Sequence, residues 1–109
     1  MGSSKREILS SVIRYTVVLT PEAETDLKNG YEWYLEYSLA SANAWRMRVV
    51  EAIEYVGRSP LTPKIWYRDL RIWHVKQSKY SIIYRVKEQT VTIASVAHSR
   101  MNDERWRDR

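Results

Sequence analysis

Apolar and polar positions recur along this chain with two different periods, and the change of period divides it in two. Ala23, Leu27, Tyr31, Tyr34 and Ser38 return at helical spacing and predict a first helix. Thr20 stands ahead of them as an N-cap, with Pro21 at the first helical position, where a missing N–H costs nothing. Glu22, Glu24 and Asp26 follow in the opening turns and complement the positive end of the helix dipole. Gly30 within this stretch costs about 1 kcal/mol of helix propensity, so close packing against a neighbour is expected there. After a brief break at Leu39-Ala40, Ser41 is expected to cap a second helix. Trp45, Val49, Ala52, Ile53 and Val56 form its apolar stripe, and Gly57 is placed to end it in a left-handed cap. So short a link predicts an antiparallel helical pair.

Ser59-Pro60-Leu61-Thr62-Pro63 forbids regular structure. Beyond it the period becomes two. Ile65 to Arg68 reads as a short edge strand, followed by strands over Asp69 to Val75, Lys79 to Val86 and Thr90 to Ala97. The last two form a hairpin, and Tyr15 to Leu19 is a further β-prone run ahead of the first helix. The order β-α-α-β-β-β predicts an α+β fold: two layers, a mainly antiparallel sheet with the helical hairpin packed on one face. Along the strand from Lys79, the residues Tyr80, Ile82, Tyr84 and Val86 share the core side. Lys79, Ser81, Ile83 and Arg85 share the uncovered side.

At 109 residues the chain suits one domain, expected over residues 14–109 behind a flexible tail at 1–13. The absence of cysteine fits a reducing compartment. No apolar run approaches the roughly 18 residues that span a membrane. The opening residues also lack the apolar block of about 7 that a secretion signal requires. A soluble, cytoplasmic protein with no membrane partner is expected. Phenylalanine is absent, while five tryptophans and eight tyrosines give most rings a polar edge. The net charge of +5 is unevenly spread. Residues 21–56 hold seven acids against three bases, whereas residues 64–88 hold seven bases against two acids. That asymmetry favours an anionic partner on the second half.

No spacing of His, Asp or Glu suggests a metal site, and there is no glycine-rich phosphate loop, so no cofactor is expected. His98 and Arg100 emerge where the last strand stops, at the rim of a rigid sheet. His98 is the plausible near-neutral base, and it could equally hydrogen-bond the backbone where strand meets tail. His74, between Trp73 and Val75, reads as structural. Trp106 either staples the tail to the body or stacks on a base.

With these residues in place, the chain resembles the RelE/ParE superfamily of toxins from type II toxin–antitoxin modules, many of them plasmid stabilization proteins. The resemblance covers about Tyr15 to Arg109. It rests on Leu19-Thr-Pro-Glu-Ala-Glu-Thr-Asp-Leu27, Glu32-Trp-Tyr34, Ser59-Pro60, Tyr80-Ser-Ile-Ile-Tyr-Arg-Val86, Val96-Ala-His-Ser-Arg100 and Trp106. It implies a RelE-like fold and a basic protein that arrests growth until a cognate antitoxin wraps an amphipathic segment over it.

The resemblance leaves the target open between DNA gyrase and the ribosome with its messenger RNA. Messenger-cleaving relatives often carry arginine directly after the first tyrosine of the third strand, where this chain has Ser81. That departure tips the expectation toward ParE-like gyrase inhibition without hydrolysis. One alternative is a RelE-like endoribonuclease, an mRNA interferase, with His98, Arg100, Arg85 and Arg71 as its catalytic set. Another is a degenerate, non-toxic partner that only binds antitoxin or autoregulates. Binding of antitoxin or target is assigned to Arg71, Lys79, Arg85, Arg100 and Trp106. A homodimer and a toxin–antitoxin hetero-oligomer both stay open.

Overall fold

A computed structural model describes residues 15–99 of the chain. The expected tail at 1–13, and the site candidates Arg100 and Trp106, lie outside the described residues. Strand β1 (Thr16–Leu19) leads into helix α1 (Pro21–Leu35) and helix α2 (Leu39–Arg58). Strands β2 (Ile65–Tyr67), β3 (Leu70–His74), β4 (Tyr80–Lys87) and β5 (Thr90–His98) follow. The sheet order is β1-β5-β4-β3-β2. β1 runs parallel to β5 and every other pairing is antiparallel, so the α+β expectation holds with the edge strand β2 completing five strands.

Local chemistry explains where the helices start. Thr20 Oγ1 accepts the Ala23 N–H at 3.1 Å, capping α1 with Pro21 in its first turn. The same hydroxyl donates to the Ala94 carbonyl at 3.2 Å, so the cap also ties α1 to β5. For α2 the sequence expectation shifts by one turn. Ser38 is the N-cap and accepts the Ser41 N–H at 3.0 Å, which makes Leu39 and Ala40 the first helical residues rather than a break. Both serines can cap, and Ser38 is the one whose backbone is extended. Gly57 does not end the helix either. α2 continues to Arg58, and no glycine among the described residues has positive φ. Its role is spatial: a Cβ there would stand 3.0 Å from Val17 Cγ2 on β1.

Gly30 meets the expectation of close packing. The Trp45 indole lies against it, and a Cβ at position 30 would stand 2.7 Å from Cζ2 of that ring. The helices are antiparallel in their contacts: Tyr31 donates to Asn43 Oδ1 at 3.0 Å, and Tyr34 stacks on Trp45 at 5.5 Å. The main core lies between this hairpin and the sheet, built from Ala23, Trp45, Val49, Val56, Tyr80, Ile82, Tyr84, Ile93 and Val96 among others. Burial of each large apolar side chain there stabilises the fold by roughly 1.5–3 kcal/mol.

The other sheet face is less open than the two-layer expectation implies. Leu70, Ile83, Ala94 and Ala97 form a second buried cluster, with Tyr67 and Ile72 against it. Alternation puts Ile83 on this face, as expected, yet it is only 2% exposed. A bulge in β5 contributes, because Ile83 pairs with Ser95 while Tyr84 pairs with Ile93. The extra residue, Ala94, joins the cluster.

Candidate functional site

β4 supplies the frame from which the candidate residues can be placed. Tyr80 pairs with His98, so His98 stands at the end of β5 on the helix-covered side. Its ring meets Tyr80 edge to face at 5.0 Å. Tyr80 in turn contacts Trp45 at 5.0 Å, and Trp45 stacks on Tyr34. Burial pushes the Tyr80 phenol above its ordinary pKa, with Tyr34 and Asp26 adding to the effect. Next to His98, the Ser99 N–H donates to the Lys79 carbonyl at 2.8 Å, which closes the last rung of the hairpin.

A groove of about 620 Å³ opens beside His98, lined by Trp33, Tyr34, Tyr37, Ser41, Gln77, Ser78, Lys79 and His98. Trp33 is 47% exposed and Tyr37 69%, and they hold each other at 5.0 Å between ring centroids. Lys79 and His98 belong to the sequence-derived candidates; Trp33 and Tyr37 do not. Their signal was available: both are aromatic residues off the apolar stripe of the first helix, on the side that normally carries polar residues. The groove offers flat apolar surface, hydroxyls and one ammonium, a mixture suited to contact with a partner molecule.

Arg85 stands elsewhere. It pairs with Leu70 and Thr92 on the opposite sheet face, and its Nε donates to Asp69 Oδ2 at 3.2 Å. It also lies five positions beyond Tyr80 along β4, about 16 Å at the usual strand rise. Arg71 is on the helix-covered side, paired with Tyr84. Its guanidinium Nη1 donates to the Pro63 carbonyl at 2.6 Å and the Leu61 carbonyl at 3.3 Å. The Tyr84 hydroxyl donates to the Pro60 carbonyl at 2.7 Å. These two residues therefore pin the proline-rich linker after α2.

Of the cations suggested for RNA cleavage, neither Arg71 nor Arg85 shares the groove of His98. Among the described residues lining that groove, Lys79 is the one permanent cation. Ser81 faces the sheet side opposite His98, with its hydroxyl 3.5 Å from His74 Nδ1. Stabilising a phosphorane needs donors converging on one point within hydrogen-bond reach, and these residues do not converge. Among the described residues no group of His, Asp or Glu side chains is arranged to hold a metal ion. No helix there is long and apolar enough to cross a membrane.

Comparison with known proteins adds the family. Residues 17–103 match the model of the ParE toxin of type II toxin-antitoxin system, parDE. None of the curated proteins matches the sequence. Among solved structures, the chromosomal ParDE TA system from P. aeruginosa superimposes with a TM-score of 0.71. The identity is 17%, over 78% of this chain and 96% of that one, which is a likeness of fold. The family match runs from β1 to beyond β5 and takes in both helices, the pinned linker and the His98 groove. The chain thus belongs to the ParE toxin family of type II toxin–antitoxin systems.

Proposed function

We propose that this ParE-family toxin arrests growth by binding DNA gyrase, without hydrolysis of its own, and that a cognate antitoxin neutralises it. One observation carries the non-hydrolytic reading: the separation of His98 from Arg71 and Arg85. Arg85 is on the other face and about 16 Å along the strand, and Arg71 is committed to the carbonyls of Leu61 and Pro63. A general base without convergent cations has little means of stabilising a transferring phosphate. The exposed rings of Trp33 and Tyr37 beside Lys79 instead favour recognition of a macromolecular surface.

Purified protein should inhibit supercoiling by gyrase and leave messenger RNA intact in a translating extract. Message cleavage that disappears in His98→Ala would establish the endoribonuclease alternative. Harmless expression of folded protein, in cells lacking the antitoxin, would establish a chain that has kept only its binding partner.

A further inference from the structure

A second groove lies between the two helices, on the side of the hairpin away from His98. It holds about 350 Å³ and is mostly apolar, with Leu27, Tyr31 and Val50 in its walls and Trp45 contributing to its lining. Val50 is 44% exposed, a large fraction for an aliphatic side chain midway along a helix. Two further observations point to an occupant. The Trp45 indole is buried, and its Nε1–H has no hydrogen-bond partner. Buried donors are nearly always paired, so a missing acceptor marks a place where one can be supplied from outside. The charges are also distinctive. The helical half of the chain is acidic overall, yet the two charged residues lining this groove are Lys28 and Arg46, both exposed.

We infer that this groove receives an apolar helical segment of the cognate antitoxin, with acidic side chains of that segment facing Lys28 and Arg46. The inference rests on the toxin function proposed above. The volume accommodates a few aliphatic side chains, as a helix supplies at i, i+3 or i+4 when laid in a groove. An acidic, apolar segment also matches a chain of net charge +5 and pI 9.6. A carbonyl or carboxylate entering beside Trp45 gives the indole its acceptor. Docking is thereby placed on the helical hairpin, away from the basic sheet residues Arg71, Lys79 and Arg85 that the sequence alone suggests.

The test uses the full chain and the purified product of the reading frame adjacent to it, with affinity measured by calorimetry. Val50→Glu and Arg46→Glu alter exposed positions, and circular dichroism verifies that both variants fold. Each should weaken binding about 10-fold or more, a size typical of anchors and close charge pairs. Exchanging an acidic residue of the partner for lysine should restore part of the loss in Arg46→Glu. Lys87→Glu, on the far end of the sheet, should change affinity less than about 2-fold. Wild-type affinity in both groove variants would overturn the docking site while leaving the toxin–antitoxin pairing intact. Failure of the wild-type chain to bind the partner would overturn the pairing, and the inference with it. Loss of self-association in Val50→Glu, with partner binding unchanged, would reassign the groove to a second copy of this chain.

Discussion

Asp26 on α1 accepts the backbone N–H of Val96 on β5 at 3.0 Å, across 70 residues of chain. The contact answers a problem set by the sheet. β1 covers the edge of β5 only as far as Leu19 opposite Ile93, and the parallel ladder stops there. The Thr20 N–H bonds the Ile93 carbonyl, and Thr20 Oγ1 reaches that of Ala94. Asp26 then takes the Val96 N–H together with the Ser95 hydroxyl, also at 3.0 Å. One turn and a half of helix thus finishes a strand edge that would otherwise leave polar groups unpaired. Asp26→Ala removes the acceptor from a buried serine and a backbone amide at once. A loss of about 1–3 kcal/mol is expected, measured by denaturant unfolding. An unchanged midpoint would show that water serves the edge equally well.

Gly30→Ala tests the helix pair. On propensity alone the substitution should stabilise α1 by up to about 1 kcal/mol. The new methyl instead meets the Trp45 ring, which is itself fixed between Tyr34 and Tyr80 and has no room to retreat. Overpacking should win, with a net loss of about 1–3 kcal/mol and a change in tryptophan fluorescence. A more stable variant would mean that the hairpin spreads at little cost.

Much of this fold is legible in the chain because its signals are local. Thr20-Pro21, the stripe from Ala23 to Tyr34 and the alternation from Tyr80 to Val86 each report their own element. What is not legible is non-local. Ser38 and Ser41 are equally good caps by composition, and only the path of the chain chooses between them. Gly57 looks like a helix stop until β1 is seen to press Val17 against it. The residues of the site divide the same way. His98 and Lys79 are found by their place at the hairpin end. Arg71 sits between Leu70 and Ile72, so its side of the sheet follows from pairing with Tyr84 rather than from pattern. The β5 bulge at Ala94 has no glycine to announce it.

Arg71 and Arg85 separate structural from binding roles. Arg71→Ala should release the linker carbonyls of Leu61 and Pro63 and lower stability by about 1–3 kcal/mol. Arg85→Ala removes an ion pair with a well-exposed Asp69, and should cost less than about 1 kcal/mol. If Arg85 contacts the target, its substitution lowers gyrase inhibition several-fold at nearly unchanged melting temperature. Equal inhibition by wild type and Arg85→Ala would remove this residue from the binding surface.

Tyr84 links the linker to alkaline stability. Its ring is fully buried, its hydroxyl donates to the Pro60 carbonyl, and burial pushes the phenol up to about 12 from its ordinary value of 10.0. The nearby Arg71 opposes that rise and Tyr55 adds to it. A raised pKa means that the folded state holds the proton more tightly than the unfolded chain does. The associated stability is complete below pH 10 and is lost as pH climbs from there toward 12, at up to about 1.4 kcal/mol per unit. Tyr84→Phe should lose about 1–3 kcal/mol at neutral pH, because the Pro60 carbonyl loses its donor. It should also show a shallower decline between pH 10 and 12 than the wild type, since its buried ring has no proton to release. Unfolding curves collected across that window for both proteins make the comparison, and parallel declines would show that the alkaline loss comes from other tyrosines and lysines.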